Sequence, residues 1–555
     1  MFILSYPVHD LTEGPGFFAI SFVLGVLLHL GYFIHGEHHM LALRYFQALL
    51  ALPAVATLAL VRHGMQPVAA LGLTAALTIT LLLGLFTSMA VYRGFFHRLR
   101  SFPGPSLAKY SKLWHFGLVT RSVRNFEEMD KLHREYGPFV RIGPNELSIV
   151  HPDAMKVVHG SASKSLGHGI SMIFAVEAGL KVSLLKVGSI LALPSVEDRE
   201  TTDSSCTALR DYEPRVKLFT QSLTQQIAAR TGQPLNASQW FNYYSFDVMG
   251  DLAYGKSFDM LETGGSHWAI DLLNEGIYYM GTLGHVTWAV ILFTYVPILN
   301  RKFRQFLAFC EKMIDDRVAT GSESQDISSW IINSPSMASS GFTDKAWLLG
   351  DSRLIIVAGS DTTAATLTHL FYHLAKEPAH IDALREELDL LKGEFNFTSL
   401  QKLPFLNALI NETLRLHPPV ASGTQRITSP EGIQLGDTYI PGGVNIIIPF
   451  YTMFRAESCF ERPTEFLPDR WVHDSKYSDH SAAFAPFSSG PYSCIGKQLA
   501  LMELQSVCAR LVTEFDVTFA PGEDGTNLLT NTKDCFTMQL APLNLCFTPR
   551  RSKAS

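Results

Sequence analysis

The sequence predicts a mainly α-helical protein with small β-sheets, preceded by helices that span a membrane. Three observations lead to this prediction. Long apolar runs occupy the first hundred residues, helical patterns with one apolar face recur further along, and short strand-like runs stand between them beside proline and glycine. With 555 residues, the chain is long enough for one large helical enzyme domain joined to a membrane anchor.

The composition excludes several classes of function. The net charge is only −6, so we expect no nucleic-acid partner. The seven cysteines show no CxxC or CxxxC spacing, which argues against a structural zinc site or a disulfide framework. The part of the chain that carries them is therefore expected to face a reducing cytosol.

Three apolar runs near the N-terminus each approach the length of a membrane span: Phe17 to Ile34, Leu41 to Val61 and Val68 to Tyr92. Their repetition favours retained spans over a cleaved signal peptide. Residues 1–16 contain no Lys or Arg, whereas basic residues crowd the end of the third run. The positive-inside rule then predicts a lumenal segment 1–16 and, over 17–92, an anchor of about three transmembrane helices.

Residues 93–108 are predicted to form a basic, proline-rich hinge between this anchor and the rest of the chain. Phe102-Pro-Gly-Pro105 cannot continue a helix, because proline lacks the amide donor and fixes the backbone angle φ. An ordinary proline and glycine linker would have nearly the same geometry. We expect residues 109–555 to form the catalytic domain in the cytosol.

The most informative feature is Cys494, which stands in a glycine-bounded turn just before a predicted helix. Gly490 and Gly496 would let the backbone approach a flat macrocycle, and Phe487 offers an aromatic face that would shield the sulfur. The N-terminus of the following helix favours a thiolate. This arrangement suits an axial ligand of iron. The alternative, a buried and inert cysteine beside a turn, does not explain the four positions together.

The pattern Phe-x-x-Gly-x-x-x-Cys-x-Gly resembles the haem-ligand signature of the cytochrome P-450 superfamily. The resemblance implies haem b with Cys494 as its axial thiolate. Tyr492 stands where many members of that family carry an arginine or histidine that meets a haem propionate, and a phenol would offer one hydrogen bond there. With its several N-terminal spans, the chain is similar to fungal microsomal members.

A second motif, Ala358-Gly-Ser-Asp361-Thr362, lies within a long apolar segment that predicts a helix. It resembles the oxygen-activation motif of the same family. The resemblance implies that Ala358 and Gly359 leave room for dioxygen, that Thr362 holds it and that Asp361 relays protons. The alternative is that Ser360 or Asp361 simply caps a helix beginning at Thr362.

Two segments downstream also resemble family elements. Glu412-x-x-Arg415 belongs to a predicted helix that ends before Pro418, and Arg470 follows in a proline-rich segment. The resemblance implies a buried triad of Glu412, Arg415 and Arg470 that locks the haem-binding loop against the helix. It also implies that Arg426, on a predicted strand, pairs with a haem propionate. A surface arginine on an edge strand is the alternative.

The chain departs from the family pattern in one region. The family supplies a helix bearing Trp-x-x-x-Arg that grips a propionate, but no tryptophan occurs between Trp114 and Trp240. Instead, the anomalous segment 165–205 matches no family element. It is either a divergent insert or sequence from a wrongly spliced gene, and the second interpretation is favoured because family-like sequence resumes directly after it. Haem binding would then depend more heavily on Arg426.

These observations predict a multi-pass enzyme of the endoplasmic reticulum membrane, a haem-thiolate monooxygenase that inserts one oxygen atom from O2 into a lipophilic small molecule of secondary metabolism. The aromatic and aliphatic region 268–299 favours a lipophilic substrate. The chain has no dinucleotide fingerprint, so the resemblance implies an NADPH-cytochrome reductase as electron donor. A haem-thiolate isomerase or dehydratase is one alternative, against which Asp361 and Thr362 argue. A non-catalytic remnant without a complete haem pocket is another.

Overall fold

The computed structural model describes residues 15–36, 38–160, 166–168, 199–296, 301–320, 326–332, 345–472, 477, 482–490 and 493–550. The described residues fall into two compact units. The first draws on residues 1–116, 141–146 and 285–300, and the second on residues 117–140, 147–284 and 301–555.

Helices dominate the described chain and the β-sheets are small, so the predicted fold class is confirmed. The α-helices are α1 (Pro15–Leu28), α2 (Ala42–Arg62), α3 (Pro67–Val91), α4 (Leu113–Val119), α5 (Asn125–Tyr136), α6 (Ala154–His159), α7 (Arg199–Ala228), α8 (Ala237–Tyr254), α9 (Met260–Thr263), α10 (Trp268–Leu283), α11 (Thr287–Thr294), α12 (Arg301–Thr320), α13 (Ile327–Ile332), α14 (Lys345–Lys376), α15 (Ala379–Asp389), α16 (Phe397–Leu400), α17 (Pro404–Leu416), α18 (Phe450–Met453), α19 (Lys497–Glu514) and α20 (Thr526–Asn531).

Among the described residues, twelve strands form four sheets. They are β1 (Phe139–Gly143), β2 (Glu146–Ile149), β3 (Leu166–His168), β4 (Leu235–Asn236), β5 (Gln425–Ile427), β6 (Ile433–Leu435), β7 (Thr438–Ile440), β8 (Asn445–Ile447), β9 (Phe515–Phe519), β10 (Lys533–Cys535), β11 (Thr537–Gln539) and β12 (Asn544–Pro549). The largest sheet has the order β1-β2-β8-β5-β3, and the others are β4-β12-β9, β6-β7 and β10-β11.

The first unit contains the three apolar helices that the sequence predicts. Gly16–Phe33, His39–Arg62 and Pro67–Phe96 are long and apolar enough to cross a membrane by length and composition. Leucine, valine and phenylalanine side chains on them are exposed to the surroundings, which suits a lipid environment better than water. Short π-helical turns, His29–Phe33 and Tyr92–Phe96, extend the first and third of them.

Glycines let α1 and α3 approach each other closely within this unit. A Cβ atom on Gly25 would lie 2.1 Å from the Leu81 carbonyl oxygen, and one on Gly84 would lie 2.1 Å from the Phe22 carbonyl oxygen. Small residues at helix crossings are the usual means by which apolar helices pack without a hydrophobic driving force between them.

The second unit is built around α14, a helix of 32 residues that passes through its core. The part of α14 from Arg353 to Lys376 is also long and apolar enough to span a membrane, but most of it is buried inside the protein. Because α14 runs unbroken through Asp361 and Thr362, the alternative that a helix starts at Thr362 is wrong. Helices α8, α12, α17 and α19 pack around it.

The anomalous segment 165–205 is described only in part. Leu166–His168 forms β3, an edge strand whose His168 is paired with Arg426 of β5. Arg199 begins α7 at the other end of the segment. Residues 169–198 lie outside the described residues. The sequence pattern predicts no element here, and the strand shows that the first residues of this segment extend the sheet that carries Arg426.

Candidate active site

A tight loop presents Cys494 before α19. The Cys494 amide donates to the Phe487 carbonyl oxygen at 2.7 Å, and the Ser493 amide donates to the Gly490 carbonyl oxygen at 3.0 Å. Ser488 and Gly490 have φ angles of 59° and 65°, the left-handed region in which glycine carries no steric cost. The reversal predicted from the glycines is therefore present, and Gly490 is required by its backbone angle.

The Cys494 side chain is accessible, yet it is recessed enough for burial to raise the pKa of its thiol. Hydrogen bonds from the Gly496 and Lys497 backbone N–H groups oppose this shift, as does the Lys497 ammonium. The amides at the helix N-terminus thus favour the thiolate, as expected from the sequence, but desolvation outweighs their contribution to the pKa. An accessible sulfur that accepts two amide hydrogen bonds is nevertheless suited to a metal cation, which would deprotonate it.

The other signature residues have different surroundings. Phe487 is half-buried against the core, and the Lys497 ammonium lies 5.9 Å from its ring centroid. Gly496 caps α19 with a φ of −77°, and a Cβ there would sit 3.9 Å from the Cys494 sulfur, an ordinary contact. Within the described residues, no protein atom is therefore close enough to require glycine at position 496. Tyr492 lies outside the described residues.

One face of α14 is open at the predicted oxygen-activation motif. The Thr362 hydroxyl donates to the Ala358 carbonyl oxygen at 2.8 Å, and Ala358 is exposed. Gly359 instead faces α8, because a Cβ on it would lie 2.6 Å from the Met249 sulfur of that helix. Ala358 thus fits the prediction of open space. Gly359 does not, since its missing side chain makes room for Met249.

The Asp361 carboxyl turns away from Thr362. Its Oδ2 accepts a hydrogen bond from the Thr537 hydroxyl of β11 at 3.2 Å. Within the described parts of the chain, no hydrogen bond joins the Asp361 carboxyl to the Thr362 hydroxyl. Burial raises the pKa of Asp361 to about 7, and the Thr537 hydrogen bond opposes that shift. Sequence reasoning missed Thr537, which is 176 residues away along the chain.

Arg426 lies beside the cysteine loop, together with a histidine that the sequence did not single out. Arg426 is buried on β5 and donates to the Gln425 carbonyl oxygen at 2.8 Å. His159, at the end of α6, places Nδ1 3.0 Å from the Ser488 hydroxyl. Its Nε2 has no hydrogen-bond partner among the described residues. Burial lowers the pKa of His159 to about 3, and the Arg426 charge contributes. No local pattern marks His159.

The predicted triad is present and buried. Arg415 donates to both Glu412 carboxylate oxygens, and Arg470 Nε lies 3.5 Å from Glu412 Oε2. The Trp471 indole and the Leu467 amide also donate to Glu412, at 2.8 and 2.9 Å. These contacts fix the segment that leads into the cysteine loop, because the Trp471 ring packs 4.3 Å from that of Phe484. α17 ends at Leu416, as the following prolines predict.

Comparison with known proteins supports the chemistry of this loop. A sequence model of the family described as Cytochrome P-450 matches residues 105–547. Cytochrome P-450 monooxygenase FCK2 of Fusarium pseudograminearum is 37% identical over 97% of this chain and 98% of its own. Tryprostatin B 6-hydroxylase of Aspergillus fumigatus is 37% identical over 96% of this chain and 97% of its own. Cytochrome P-450 monooxygenase notG' of Aspergillus versicolor is 37% identical over 95% of this chain and 97% of its own. The chain therefore belongs to the cytochrome P-450 family and is a haem-thiolate monooxygenase of secondary metabolism.

Proposed function

We propose that Cys494 is the axial thiolate of haem b in an enzyme that hydroxylates a lipophilic secondary metabolite. The accessible Cys494 sulfur, held by the Gly496 and Lys497 amides, is the observation that carries this proposal. Hydroxylation is supported by one relative, the tryprostatin B 6-hydroxylase of Aspergillus fumigatus. When bound, haem supplies the chemistry that activates O2 with electrons from a redox partner.

Two residues with N–H donors, Arg426 and His159, are suited to hold the haem carboxylates. Arg426 brings a permanent charge to the neighbourhood of the cysteine loop. His159 lies beside it, with Nδ1 at Ser488 of that loop and Nε2 open to a further acceptor. When the Ser488 hydroxyl donates to Nδ1, the neutral imidazole carries its proton on Nε2 and donates from there. We assign both residues to the propionates. In this role His159 offsets the Trp-x-x-x-Arg motif that the sequence lacks.

Thr362 and Asp361 are the residues we assign to oxygen handling. The Thr362 hydroxyl lies on the open face of α14 beside Ala358, where its oxygen can accept a hydrogen bond from a bound molecule while its proton is donated to the Ala358 carbonyl. Asp361, the residue directly before Thr362, has a pKa of about 7, so it accepts and releases a proton at neutral pH. Thr362 therefore orients the oxygen substrate, and Asp361 supplies protons.

A monooxygenase of this family uses O2, a redox partner and a lipophilic substrate. We assign an NADPH-cytochrome reductase as that partner, because the chain lacks a dinucleotide fingerprint of its own. The three N-terminal apolar helices support a multi-pass anchor in the endoplasmic reticulum membrane. The basic residues that follow the third helix support a cytosolic catalytic unit.

A reduced-CO difference spectrum of membranes that contain the full chain tests the ligand. The wild type should give the thiolate band, and Cys494→Ser should lose it, because a serine hydroxyl is a poor iron ligand. Cys546→Ser, on the half-buried strand β12, is the matched control and should keep the band. If Cys494→Ser retains the thiolate band, the assignment of Cys494 is wrong.

A second measurement tests Thr362. In membranes reconstituted with NADPH-cytochrome reductase, Thr362→Ala should keep the haem band but release more of the consumed O2 as hydrogen peroxide. Thr530→Val, an exposed threonine on α20, is the control. An unchanged peroxide fraction in Thr362→Ala would contradict the role assigned to Thr362.

A further inference from the structure

The second unit contains a large open cavity that the cysteine loop does not line. Its volume is about 800 Å³, within the ~300–1,000 Å³ typical of small-molecule sites. The C-terminal end of α14, the end of α17, α18 and the residues that follow α18 contribute to its walls. The described lining includes no residue of the loop 487–496 and neither Ala358 nor Thr362. The cavity is therefore separate from the candidate active site.

Arg455 lies on the wall of this cavity with most of its hydrogen-bonding capacity unused. Its Cζ atom lies 3.7 Å from the centroid of the Tyr451 ring, and its Nη1 lies 3.5 Å from the Tyr451 carbonyl oxygen. Among the described residues, its guanidinium has no other acceptor and no ion-pair partner. Burial lowers the pKa of Arg455 to about 10, which leaves it charged at neutral pH. A partly buried guanidinium of this kind is suited to bind a carboxylate or a phosphate through two parallel hydrogen bonds.

The two carboxylates that act on the charge of Arg455 from further away already have partners. Asp130 and Glu412 both raise the pKa of Arg455. Asp130 lies 2.6 Å from Arg134, and Glu412 lies 2.8 Å from Arg415. Neither carboxylate therefore neutralises Arg455.

The cavity wall itself carries an excess of positive charge. Two of its three described carboxylates are neutralised by arginines of the same wall, in the pairs Glu127–Arg124 and Glu465–Arg462. The third, Glu377, is exposed and lies 3.3 Å from His380 Nε2. Apart from the two pairs, the described wall has two cations, Arg455 and the exposed Lys376, against the single carboxylate of Glu377. This balance favours an anionic ligand.

Three histidines on the same wall lie within reach of the Arg455 charge. The ring of His369 stacks on that of His417 with centroids 4.2 Å apart, and His373 Nε2 lies 3.0 Å from His417 Nε2. Burial lowers the pKa of each histidine, and Arg455 contributes to each shift. In the part of the chain that the structure describes, no group of three such side chains is arranged to hold a metal ion. Because Arg455 would also repel a cation, the wall favours an anion over a metal.

Much of the remaining wall is apolar. The rings of Phe126 and Tyr451 pack with centroids 4.7 Å apart, and Phe466 stacks on His373 at 3.7 Å. Leu528 adds an aliphatic side chain. An unpaired arginine beside apolar surface suits a ligand that joins an anionic group to an apolar ring.

We propose that this cavity binds a small organic anion. The carboxylate or phosphate oxygens of the ligand accept hydrogen bonds from Arg455, and its apolar ring packs against the aromatic wall at Phe126 and Tyr451. Lys376 contributes a second positive charge. The inference does not rest on the proposed function, because the described lining contains none of the residues assigned to haem or oxygen.

Protection of Arg455 from phenylglyoxal tests the site in the unmodified protein. Detergent-solubilised full-length holoprotein is labelled with and without benzoate, phenyl phosphate or inorganic phosphate, and peptide mass spectrometry follows the modification of each arginine. A site that is about nine-tenths occupied should slow the labelling of Arg455 about tenfold. Arg121, which is exposed and outside the described lining, is the internal control and should be labelled at an unchanged rate.

The three anions distinguish the chemistry of the ligand. Stronger protection by phenyl phosphate than by benzoate would support a phosphate ligand, and the reverse would support a carboxylate. If inorganic phosphate protects Arg455 as well as the better of these two, the apolar part of the proposal is wrong. If neither benzoate nor phenyl phosphate protects Arg455 more than Arg121, the site itself is wrong.

Two substitutions test the cations by isothermal titration of the more strongly protecting anion. Arg455→Gln should weaken binding about tenfold, the effect of losing a hydrogen bond to a charged group. Lys376→Gln should weaken it about threefold, as for an exposed charge pair. Lys312→Gln, an exposed lysine of α12 outside the described lining, is the matched control and should bind like the wild type.

The haem spectrum of each variant checks that the protein is folded. If Arg455→Gln keeps this spectrum and binds the anion as tightly as the wild type does, the assignment of Arg455 is wrong. If Arg455→Gln does not fold, the labelling of the unmodified protein decides the proposal by the outcomes given above.

Discussion

Arg415 and Glu412 form a two-armed ion pair in the interior of the second unit. Arg415 Nε lies 2.9 Å from Glu412 Oε2, and Arg415 Nη2 lies 2.8 Å from Glu412 Oε1. Both side chains are fully buried. The remaining donors of Arg415 reach the carbonyl oxygens of Phe454, Pro463 and Glu465, so every part of the pair is satisfied.

Removing the Glu412 charge should therefore be strongly destabilising. In Glu412→Gln, the Arg415 and Arg470 charges stay buried without a counter-ion, which typically costs about 3–5 kcal/mol. That is a large part of the ~5–15 kcal/mol by which proteins are stable. Urea unfolding of the detergent-solubilised full chain measures the loss. Asp316→Asn, which breaks the exposed pair with Lys312, is the control and should shift the midpoint little. Equal shifts in the two variants would contradict a stabilising role of the buried pair.

The buried Glu503 of α19 should make stability fall as the pH rises. Burial raises the pKa of Glu503 well above its usual value, and its Oε2 has no hydrogen-bond partner among the described residues. Between the unfolded and the folded pKa, the folded state binds more protons than the unfolded state, so the free energy of unfolding decreases as the pH increases. Glu503→Gln removes this dependence. The variant should be close to the wild type near pH 4.5 and increasingly more stable than it towards pH 8.

Buried histidines change the free energy of unfolding with pH in the opposite direction. The quantity to measure is therefore the difference in stability between Glu503→Gln and the wild type at each pH. Burial holds the pKa of His373 and His417 well below 6.5. Their contribution favours the folded state above pH 6.5 and is lost as the pH falls below it. It cancels when urea midpoints of Glu503→Gln and the wild type are subtracted at each pH. A difference that stays flat from pH 4.5 to 8 would rule out a protonated Glu503 in the folded state.

The sequence predicted the elements that depend on local pattern. The apolar runs predicted α14 and the three N-terminal helices. The prolines after Leu416 predicted the end of α17, and the glycines predicted the turn before Cys494. Glu412 and Arg415 lie three residues apart on one helix, and the structure confirms that both are buried, as the family resemblance implies. Such features follow from neighbours within a few residues, which a single sequence displays.

Contacts between residues far apart in the chain could not be predicted from such local patterns. His159 and Ser488 are 329 residues apart, and Thr537 and Asp361 are 176 apart. The direction of the Asp361 side chain depends on where β11 packs. The role of Gly359 depends on Met249 of a different helix. Each is decided by tertiary packing, for which the local sequence carries no periodic signal.

His159 should help to retain haem. Two substitutions distinguish the roles of its two ring nitrogens. Asparagine reaches roughly the position of Nδ1 and keeps the Ser488 contact, whereas glutamine places an amide near Nε2. We expect His159→Asn to lose haem about fivefold faster than the wild type and His159→Gln to remain close to it. The transfer of haem to excess apomyoglobin, followed by absorbance, measures this rate without any substrate turnover. If His159→Asn releases haem as slowly as the wild type does, Nε2 makes no contact with the cofactor.

The effect of Gly359→Ala on the free energy of unfolding should change sign when Met249 is replaced as well. In the wild type, a Cβ on Gly359 would lie 2.6 Å from the Met249 sulfur, so Gly359→Ala crowds the contact between α14 and α8 and should cost about 1–3 kcal/mol. In a Met249→Ala background that obstacle is gone. The same substitution should then stabilise the protein by up to ~1 kcal/mol, because alanine is the better helix former. Urea unfolding of the four proteins gives the coupling energy. Additive effects would show that Gly359 makes room for something other than Met249, as the motif alone had suggested.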